Sequence, residues 1–287
     1  VGVDSFLDDS YDAEIKRRNA LALQRLSGAT FIEADIRSPL PSKSWHQIRT
    51  IVNLAAMPGL TKSWQDFHLY QSCNVTGVQL LLEQSLANGV EHFVQISTSS
   101  VYGSLATGTE SDPVNPISPY GVTKLAAEKL VSAYGASLEL PFTVLRYFSV
   151  YGPGQRPDMA YHILCERILS DSEFVVFGDG TQSRSNTHVS DVVKATLLAI
   201  NAGPLNQAAN VAGGEVVTLL GAIRILEDAL GRSARIRFEA ARRGDQLHTR
   251  GDTSLIESHL GYRASIGVEE GLRSQAEWHM SHQGAAD

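Results

Sequence analysis

Tyr120 and Lys124 are the two residues of this 287-residue chain whose types and spacing most directly suggest chemistry. They stand four positions apart, and on a helix this spacing places both side chains on one face. Ser118 is a suitable N-cap and Pro119 a suitable first helical residue, so Tyr120 is predicted to lie in the first turn. The positive helix end and the Lys124 ammonium would both favour the phenolate of Tyr120. Such a tyrosine can take a proton from a sugar hydroxyl during hydride transfer.

Composition and charge restrict the class of protein. A hydrophobic content of 43% and a charged content of 19% are typical of a soluble globular chain with a full core. The net charge of -7 argues against nucleic acid as a partner, and no apolar run is long enough to predict a membrane span. Cys73 and Cys165 lie in apolar helical stretches, which predicts buried, reduced thiols. We therefore expect a cytoplasmic protein.

Short apolar segments alternate with amphipathic ones along the chain, and this alternation predicts a parallel sheet flanked by helices. The predicted strands span residues 50–55, 92–97, 142–148, 174–177, 210–212 and 235–238. The predicted helices span residues 69–88, 120–138, 189–202 and 219–230, with a further helical C-terminus.

The first residues, Val1 to Asp4, have the pattern of a strand end closed by an acid. In a dinucleotide-binding fold, such an acid binds the adenosine ribose and follows a glycine-rich loop by about 20 residues. We therefore expect a first strand, a glycine-rich turn and a helix to precede Val1 in the natural protein.

Eight motifs occur in one order along the chain. They are Val3-Asp4, Asp35-Ile36, Leu54-Ala55-Ala56, STSSVYG at 97–103, YGVTK at 120–124, LRYFSVYGP at 145–153, FGDG at 177–180 and RRGD at 242–245. In this set and order the chain resembles the extended short-chain dehydrogenase/reductase family, and within it the nucleotide-sugar epimerase/dehydratase branch. The resemblance covers nearly the whole chain.

The resemblance implies an α/β fold with two domains. A Rossmann-type doubly wound parallel sheet, at residues 1–148 and 186–212, would bind NAD. A smaller mixed α/β domain, at residues 149–185 and 213–287, would bind the nucleotide sugar. Because relatives often pair through a four-helix interface that includes the helix of Tyr120, we also expect a homodimer.

NAD is implied as a tightly bound cofactor that is regenerated in each cycle. Asp4 would bind the adenosine ribose diol, and its charge would disfavour the 2′-phosphate of NADP. Lys124 would hold the nicotinamide ribose and lower the pKa of Tyr120. The full set of implied cofactor-binding residues is Asp4, Asp35, Ile36, Leu54, Ala55, Ala56, Tyr120, Lys124 and Tyr147.

Thr98 completes the implied catalytic set of Thr98, Tyr120 and Lys124, because it would bind the sugar 4-hydroxyl and relay its proton towards Tyr120. The implied substrate-binding residues are Ser99, Ser100, Ser149, Arg156, Phe177, Arg184, Arg242 and Asp245. Among these, Arg184 and Arg242 would bind the diphosphate and Asp245 the uridine ribose.

Ser99 and Ser100 distinguish between the reactions of the branch. Relatives that dehydrate the sugar carry an Asp-Glu pair directly before Val-Tyr-Gly, and relatives that decarboxylate a glucuronate carry Glu in the second place. This chain has two serines there, so 4-epimerisation through a 4-keto intermediate is predicted. Relatives that act on UDP-glucuronate usually have a hydroxyl residue, Thr, followed by Arg seven positions later. Ser149 and Arg156 show a hydroxyl and an arginine at this spacing, which favours UDP-glucuronate as substrate and UDP-galacturonate as product.

Four alternatives remain open from the sequence. Two are other reactions of the branch: 4-epimerisation of UDP-glucose or a UDP-N-acetylhexosamine, and UDP-glucuronate decarboxylation. The others are a non-catalytic nucleotide-binding regulator on the same fold and an oxidoreductase that exchanges free NAD(P).

Overall fold

The computed structural model describes residues 1–8, 10–26, 28–241 and 246–282. Its strands are β1 Gly2–Asp4, β2 Phe31–Glu33, β3 Thr50–Asn53, β4 His92–Thr98, β5 Leu105–Ala106, β6 Phe142–Tyr147, β7 Val150–Tyr151, β8 Glu173–Phe177, β9 Ser183–Ser185, β10 Thr187–His188, β11 Ala208–Val211, β12 Val216–Thr218, β13 Arg235–Glu239 and β14 His248–Thr249. Its helices are α1 Ala13–Gln24, α2 Leu60–Ser63, α3 Phe67–Gln71, α4 Gly77–Ala87, α5 Pro119–Leu138, α6 Ala160–Leu169, α7 Val189–Ala202, α8 Leu219–Leu230, α9 Ser254–Leu260 and α10 Val268–His282.

The predicted α/β class is confirmed. Strands β11, β6, β4 and β3 form one sheet in this order, and β3 pairs with β4 in parallel. Strand β1 pairs in parallel with β2. Neighbouring strands that are distant in sequence require crossovers, and the helices between them supply these. Each predicted strand has an observed counterpart whose ends differ by two residues at most.

Three of the four predicted helices are also found, whereas the helix predicted for residues 69–88 is not continuous. The observed segment contains the end of α3, a π-helical turn at Ser72–Thr76 and then α4. A π-helical turn inserts one extra residue into the helical ladder and is frequent at functional sites.

The described chain divides into two compact units. The first comprises Val1–Ser97, Ser118–Val144 and Gly203–Ala208, and the second comprises Thr98–Ile117, Leu145–Ala202 and Ala209–Asp287. The domain bounds expected from the sequence, with 1–148 and 186–212 in one domain, remain a prediction.

Each unit has its own apolar core. In the first unit, residues of α4 and α5 pack on strands β4 and β6, with a centre of Val78, Leu81, Leu82, Phe93, Ala127, Val131, Leu140, Phe142 and Val144. In the second unit, α6, α8 and α10 pack on β8. Burial of this apolar surface holds the elements in fixed relation within each unit.

The helices were also compared with the requirements of a membrane span. Among the described residues, no helix combines the length and the apolar character that crossing a bilayer requires. Both cysteines are buried thiols outside any disulfide, as predicted.

Candidate active site

The amino end of α5 is built as the sequence predicts. Ser118 is the N-cap, and its Oγ accepts a hydrogen bond from the Gly121 amide at 3.1 Å. Pro119 begins the helix, where its missing amide hydrogen leaves no bond unmade. Tyr120 therefore lies in the first turn, and Lys124 follows one turn later on the same face.

Lys124 is buried, with 4% of its surface exposed. Its Nζ donates a hydrogen bond of 2.6 Å to the carbonyl oxygen of Ile96 in β4. Burial lowers the pKa of Lys124 to about 8, because the ammonium loses water, whereas the nearby Glu128 carboxylate acts in the opposite direction. Lys124 is therefore held at a fixed point against the sheet, and its charge is readily titrated.

Glu128 supplies the countercharge one turn further along α5. Its side chain is buried, and the Ser97 hydroxyl donates a short hydrogen bond to Glu128 Oε1. Ser97 lies next to Ile96 in β4, so two contacts fix the start of α5 against the end of one strand. Glu128 was not predicted from the sequence, although an acid four residues after a lysine on a helix is a recognisable signal.

Tyr120 packs on a small apolar cluster formed by Met57, Tyr70 and Cys73. The rings of Tyr120 and Tyr70 meet edge to face, with their centroids 6.3 Å apart. The single hydroxyl hydrogen of Tyr70 is shared between the carbonyl oxygens of Pro58 and Gly59, at 2.5 and 2.9 Å. Because Tyr70 is fixed at both ends, it restricts the directions in which the ring of Tyr120 can point.

Asn74, in the π-helical turn, is a positioning residue that sequence analysis missed. Its Oδ1 accepts from the Met57 amide at 2.7 Å, and its Nδ2 donates to Met57 O and to Thr123 Oγ1, both at 3.0 Å. Thr123 lies directly before Lys124 in α5. A polar amide within an apolar helical run was the signal available in the sequence, but its partners are distant along the chain.

Three hydroxyl residues follow at the end of β4 and form part of the second unit. Thr98 Oγ1 accepts from the Ser100 amide at 3.1 Å and lies 3.2 Å from Ser100 Oγ. Ser99 is buried and donates to Gln246 Oε1 at 3.1 Å. Thr98 and Ser100 thus form one polar surface, whereas the Ser99 hydroxyl is directed towards Gln246 of the same chain.

A buried network fixes the turn that carries these hydroxyls. The Tyr102 hydroxyl donates to Asn210 Oδ1 and accepts from Arg146 Nη1, both at 2.8 Å. Gly103 follows with φ of +99°, a left-handed conformation, and a Cβ there would lie 2.4 Å from Asn115 O. Glycine is therefore required at this position, since any side chain would displace the turn.

Arg156, the residue expected to bind a substrate carboxylate, is already paired in this structure. Its Nε and Nη2 donate to the two carboxylate oxygens of Asp158, at 3.0 and 2.9 Å. Ser149 precedes β7, and its carbonyl oxygen accepts from the Thr187 amide at 2.9 Å. A guanidinium held by one carboxylate through two of its nitrogens still has donors on Nη1 for a second anion.

The residues expected to bind the diphosphate and the uridine differ in their positions and contacts. Arg184 lies in β9, and its Nη1 donates to the carbonyl oxygens of Ser183 and Leu247, both at 3.1 Å. Phe177 is the half-buried last residue of β8. Arg242 and Asp245 lie outside the described residues.

The residues expected at the cofactor lie at the carboxyl ends of parallel strands. Asp4 closes β1 as an exposed carboxylate, and Leu54, with 65% of its surface exposed, directly follows β3 together with the half-buried Ala55 and Ala56. Carboxyl strand ends are where open α/β sheets bind ligands. An exposed leucine beside two small residues offers an apolar surface that a ring can cover. These residues therefore fit a dinucleotide.

Three more of the expected cofactor residues, Asp35, Ile36 and Tyr147, contact other residues of the same chain. Asp35 forms a forked ion pair with Arg37, which lowers the pKa of Asp35. Ile36 packs against Gly77, where an added Cβ would lie 2.9 Å from the Ile36 side chain. The Tyr147 hydroxyl contacts Thr196 Oγ1 at 2.5 Å, and burial raises the pKa of Tyr147 to about 12. Their roles towards a cofactor remain predictions.

A sequence profile decides the family. The profile of the NAD dependent epimerase/dehydratase family matches residues 6–212. The chain belongs to this family. The family assignment expected from the sequence motifs is confirmed.

Named relatives and a solved structure support the same conclusion. The chain is 35% identical to the Bacillus subtilis protein YtcB, described as an uncharacterized UDP-glucose epimerase, over 96% of this chain and 88% of that protein. It is 32% identical to the UDP-glucuronate 4-epimerase of Thermodesulfobacterium geofontis, over 97% of this chain and 87% of that protein. The crystal structure of the Bacillus cereus UDP-glucuronic acid 4-epimerase, in complex with UDP-glucuronic acid and NAD, is 36% identical, with a TM-score of 0.93 over 98% of this chain and 90% of that chain.

Proposed function

We propose that this protein catalyses the NAD-dependent 4-epimerisation of a UDP-sugar, UDP-glucuronate to UDP-galacturonate. The observation that carries the proposal is Tyr120 in the first turn of α5, one turn before the buried Lys124, in a chain with serines where the dehydrating relatives have acids. The relatives named above, with their sugar and cofactor, support the choice of substrate.

NAD, when bound, supplies the acceptor and donor of hydride at C4 of the sugar. Asp4 would hold the adenosine ribose, and Leu54, Ala55 and Ala56 would cover the cofactor from the end of β3. The ammonium of Lys124 would meet the nicotinamide ribose. A cofactor held by both ends stays bound through the cycle, so that the same hydride can return to the sugar.

Tyr120 is the proposed general base. Its phenolate would take the proton of the 4-hydroxyl, and the positive ends of Lys124 and of helix α5 would stabilise the negative oxygen. Burial fixes the Lys124 ammonium at its carbonyl partner in β4, and Tyr70 fixes the ring direction. The same phenol would return the proton once the intermediate has presented its other face.

Thr98 would relay this proton. Its hydroxyl belongs to the polar surface with Ser100, which suits a contact to the 4-hydroxyl and to the neighbouring part of the sugar. Neither Ser99 nor Ser100 can protonate a leaving hydroxyl at neutral pH as a carboxylic acid does. Dehydration is therefore disfavoured, and the 4-keto sugar would turn over and be reduced instead.

Arg156 is the proposed partner of the uronate carboxylate, together with the hydroxyl groups of Ser100 and Ser149. Ser99, whose hydroxyl donates to Gln246, would hold the turn in place instead. A charge-assisted hydrogen bond to a carboxylate suits the guanidinium, whose Nη1 is turned away from the fork with Asp158. Arg184, Phe177, Arg242 and Asp245 would bind the UDP portion. A carboxylate held in one orientation would also resist loss of CO₂ from the β-keto acid.

The fork between Arg156 and Asp158 also favours a second candidate, 4-epimerisation of UDP-glucose. A carboxylate next to the arginine cancels part of the charge that would attract a uronate, and it would not hinder a neutral hexose. The similarity to YtcB points in the same direction.

We further propose a cytoplasmic homodimer. The two buried cysteines, neither of them in a disulfide, support a reducing compartment. Pairing through α5 is proposed from the resemblance alone, because relatives often pair through an interface that includes this helix.

Replacement of Tyr120 tests the proposed chemistry. The Tyr120→Phe variant should still bind UDP-glucuronate but turn it over about 10²–10⁴ times more slowly, because only the base is lost. Binding is measured by calorimetry and turnover by product analysis. Tyr134→Phe makes the same change further along α5 and is the control for the substitution. Near-normal turnover by Tyr120→Phe would contradict the assignment.

A further inference from the structure

A cluster of three metal-binding side chains lies in the second unit, among residues to which we assign no role in the reaction. His162 and Glu166 belong to α6, and His279 belongs to α10. Each offers one ligand atom, and the three atoms lie within 4.8 Å of one another. Two imidazoles and one carboxylate are a common ligand set for divalent transition metals.

The scaffold around the cluster is rigid. His162 and Glu166 are four residues apart on α6, which puts them on one face a turn apart. Apolar residues of both helices, including Leu164 and Ile168 of α6 and Leu272 of α10, form the core of the second unit. The three side chains therefore converge without any movement of the backbone.

His162 is held in the tautomer that a metal ligand needs. Its Nδ1 lies 2.7 Å from the carbonyl oxygen of Gln155. A carbonyl can only accept, so Nδ1 carries the hydrogen and Nε2 keeps its lone pair. Ligating histidines typically make this contact to a backbone carbonyl or a carboxylate through their second nitrogen.

His279 is the buried member, with 2% of its surface exposed. Its Nδ1 lies 2.9 Å from Glu166 Oε1, whereas its Nε2 is buried and has no hydrogen-bond partner among the described residues. Because the Nε2 edge of the ring points away from Glu166, Nδ1 is the atom of His279 that an ion shared with Glu166 would contact.

We propose that His162, Glu166 and His279 bind one divalent transition-metal ion such as Zn²⁺. Bonds of about 2.0–2.2 Å to nitrogen and oxygen require ligand atoms closer than the widest spacing here, so the side chains must approach one another on binding. Glu166 is 56% exposed and can move, and its exposure leaves a fourth position open to water. The ion would tie α10 to α6 and would stabilise the folded second unit.

Metal binding to untagged, chelator-treated protein tests the site. Zn²⁺ titration followed by calorimetry and elemental analysis should give one ion per chain, and Co²⁺ should give the visible absorption of a bound ion. The ion should raise the melting temperature, because it binds the folded chain. Paramagnetic Co²⁺ should also quench Trp278, whose ring lies 4.9 Å from that of His279.

Glu166→Gln and His162→Gln should each weaken Zn²⁺ binding more than about 100-fold, since even a residue that merely orients a ligand is worth about 10–100-fold. Both side chains lie outside the buried core, so these variants should fold even if His279→Gln does not. His259→Gln is the control, because this exposed α9 histidine also contacts a backbone carbonyl through Nδ1. Unchanged affinity in the two variants, or less than one ion per chain, would overturn the proposal. None of these readouts depends on sugar turnover.

Discussion

Lys124 shows how burial and charge are combined at a single residue. A lysine inside a protein is costly, yet this one has a carbonyl partner in β4 and a buried carboxylate one turn away. Those contacts fix the Lys124 side chain, which carries its positive charge only while the pH is below its lowered pKa. Burial of the Lys124 ammonium is therefore expected to lower the free energy of unfolding, although it places the charge where the proposed reaction needs it.

The Lys124→Met substitution should change how the free energy of unfolding depends on pH. The folded pKa of about 8 lies below the value of about 10.4 in an unfolded chain, so the penalty is fully present below pH 8. It is released as the pH rises towards 10.4. The free energy of unfolding of the wild type, minus that of the variant, should therefore increase by about 2–3 kcal/mol between pH 7 and pH 10.

Urea denaturation of both proteins at several pH values, without cofactor, measures this difference. Lys129→Met, an exposed lysine of the same helix, is the control for the substitution itself. A difference that does not change with pH would mean that Lys124 is not held as a buried ammonium.

Single residues were predictable where the signal is local. The spacing of Tyr120 and Lys124 and the cap at Ser118 are contained in a few consecutive residues, and helix geometry fixes the rest. Asn74 and Gln246 were not predictable, because their partners lie 17 to 147 positions away. The pairing of Arg156 with Asp158 is local, but a carboxylate two residues away is too common in sequences to predict a fork.

At the scale of elements, the segment from α3 to α4 shows where hydrophobic periodicity fails. The apolar pattern predicts one helix, since a π-helical turn changes the register by only one residue. That turn places Asn74 towards Met57 and Thr123 and so connects the end of β3 with α5. The six strands and the three other helices that were predicted are present, because their burial follows a simple period, whereas short elements such as β9 and β10 gave no such signal.

The loop that leads into α6 is the element where substrate choice can be tested. Arg156→Ala should lower kcat/KM for UDP-glucuronate about tenfold to a hundredfold, the worth of a hydrogen bond to a charged group, and change that for UDP-glucose much less. Both constants are measured with each sugar. Arg167→Ala removes an equal charge from the exposed side of α6 and serves as control. Equal losses for both sugars would assign Arg156 to the diphosphate.

At the scale of the whole molecule, the fold followed from the sequence more completely than the substrate. The alternation of strands and helices and the order of the motifs suffice for the α/β class and the family. The substrate depends on a few polar contacts around the sugar, and these involve side chains such as Arg156 whose partners the sequence does not reveal. The reaction type was predicted less completely than the fold but more completely than the substrate. Ser99 and Ser100 stand before Val101 where dehydration requires two acids, so the sequence argues against dehydration.

Product analysis with two substrates tests the central claim most directly. The purified protein is incubated separately with UDP-glucuronate and with UDP-glucose in the presence of NAD, and the products are followed by proton NMR and by absorbance of reduced nicotinamide. The expected result is a C4-inverted uronate, UDP-galacturonate, without a UDP-pentose and without net cofactor reduction. Turnover of UDP-glucose alone, or formation of a UDP-pentose from UDP-glucuronate, would contradict the proposed function.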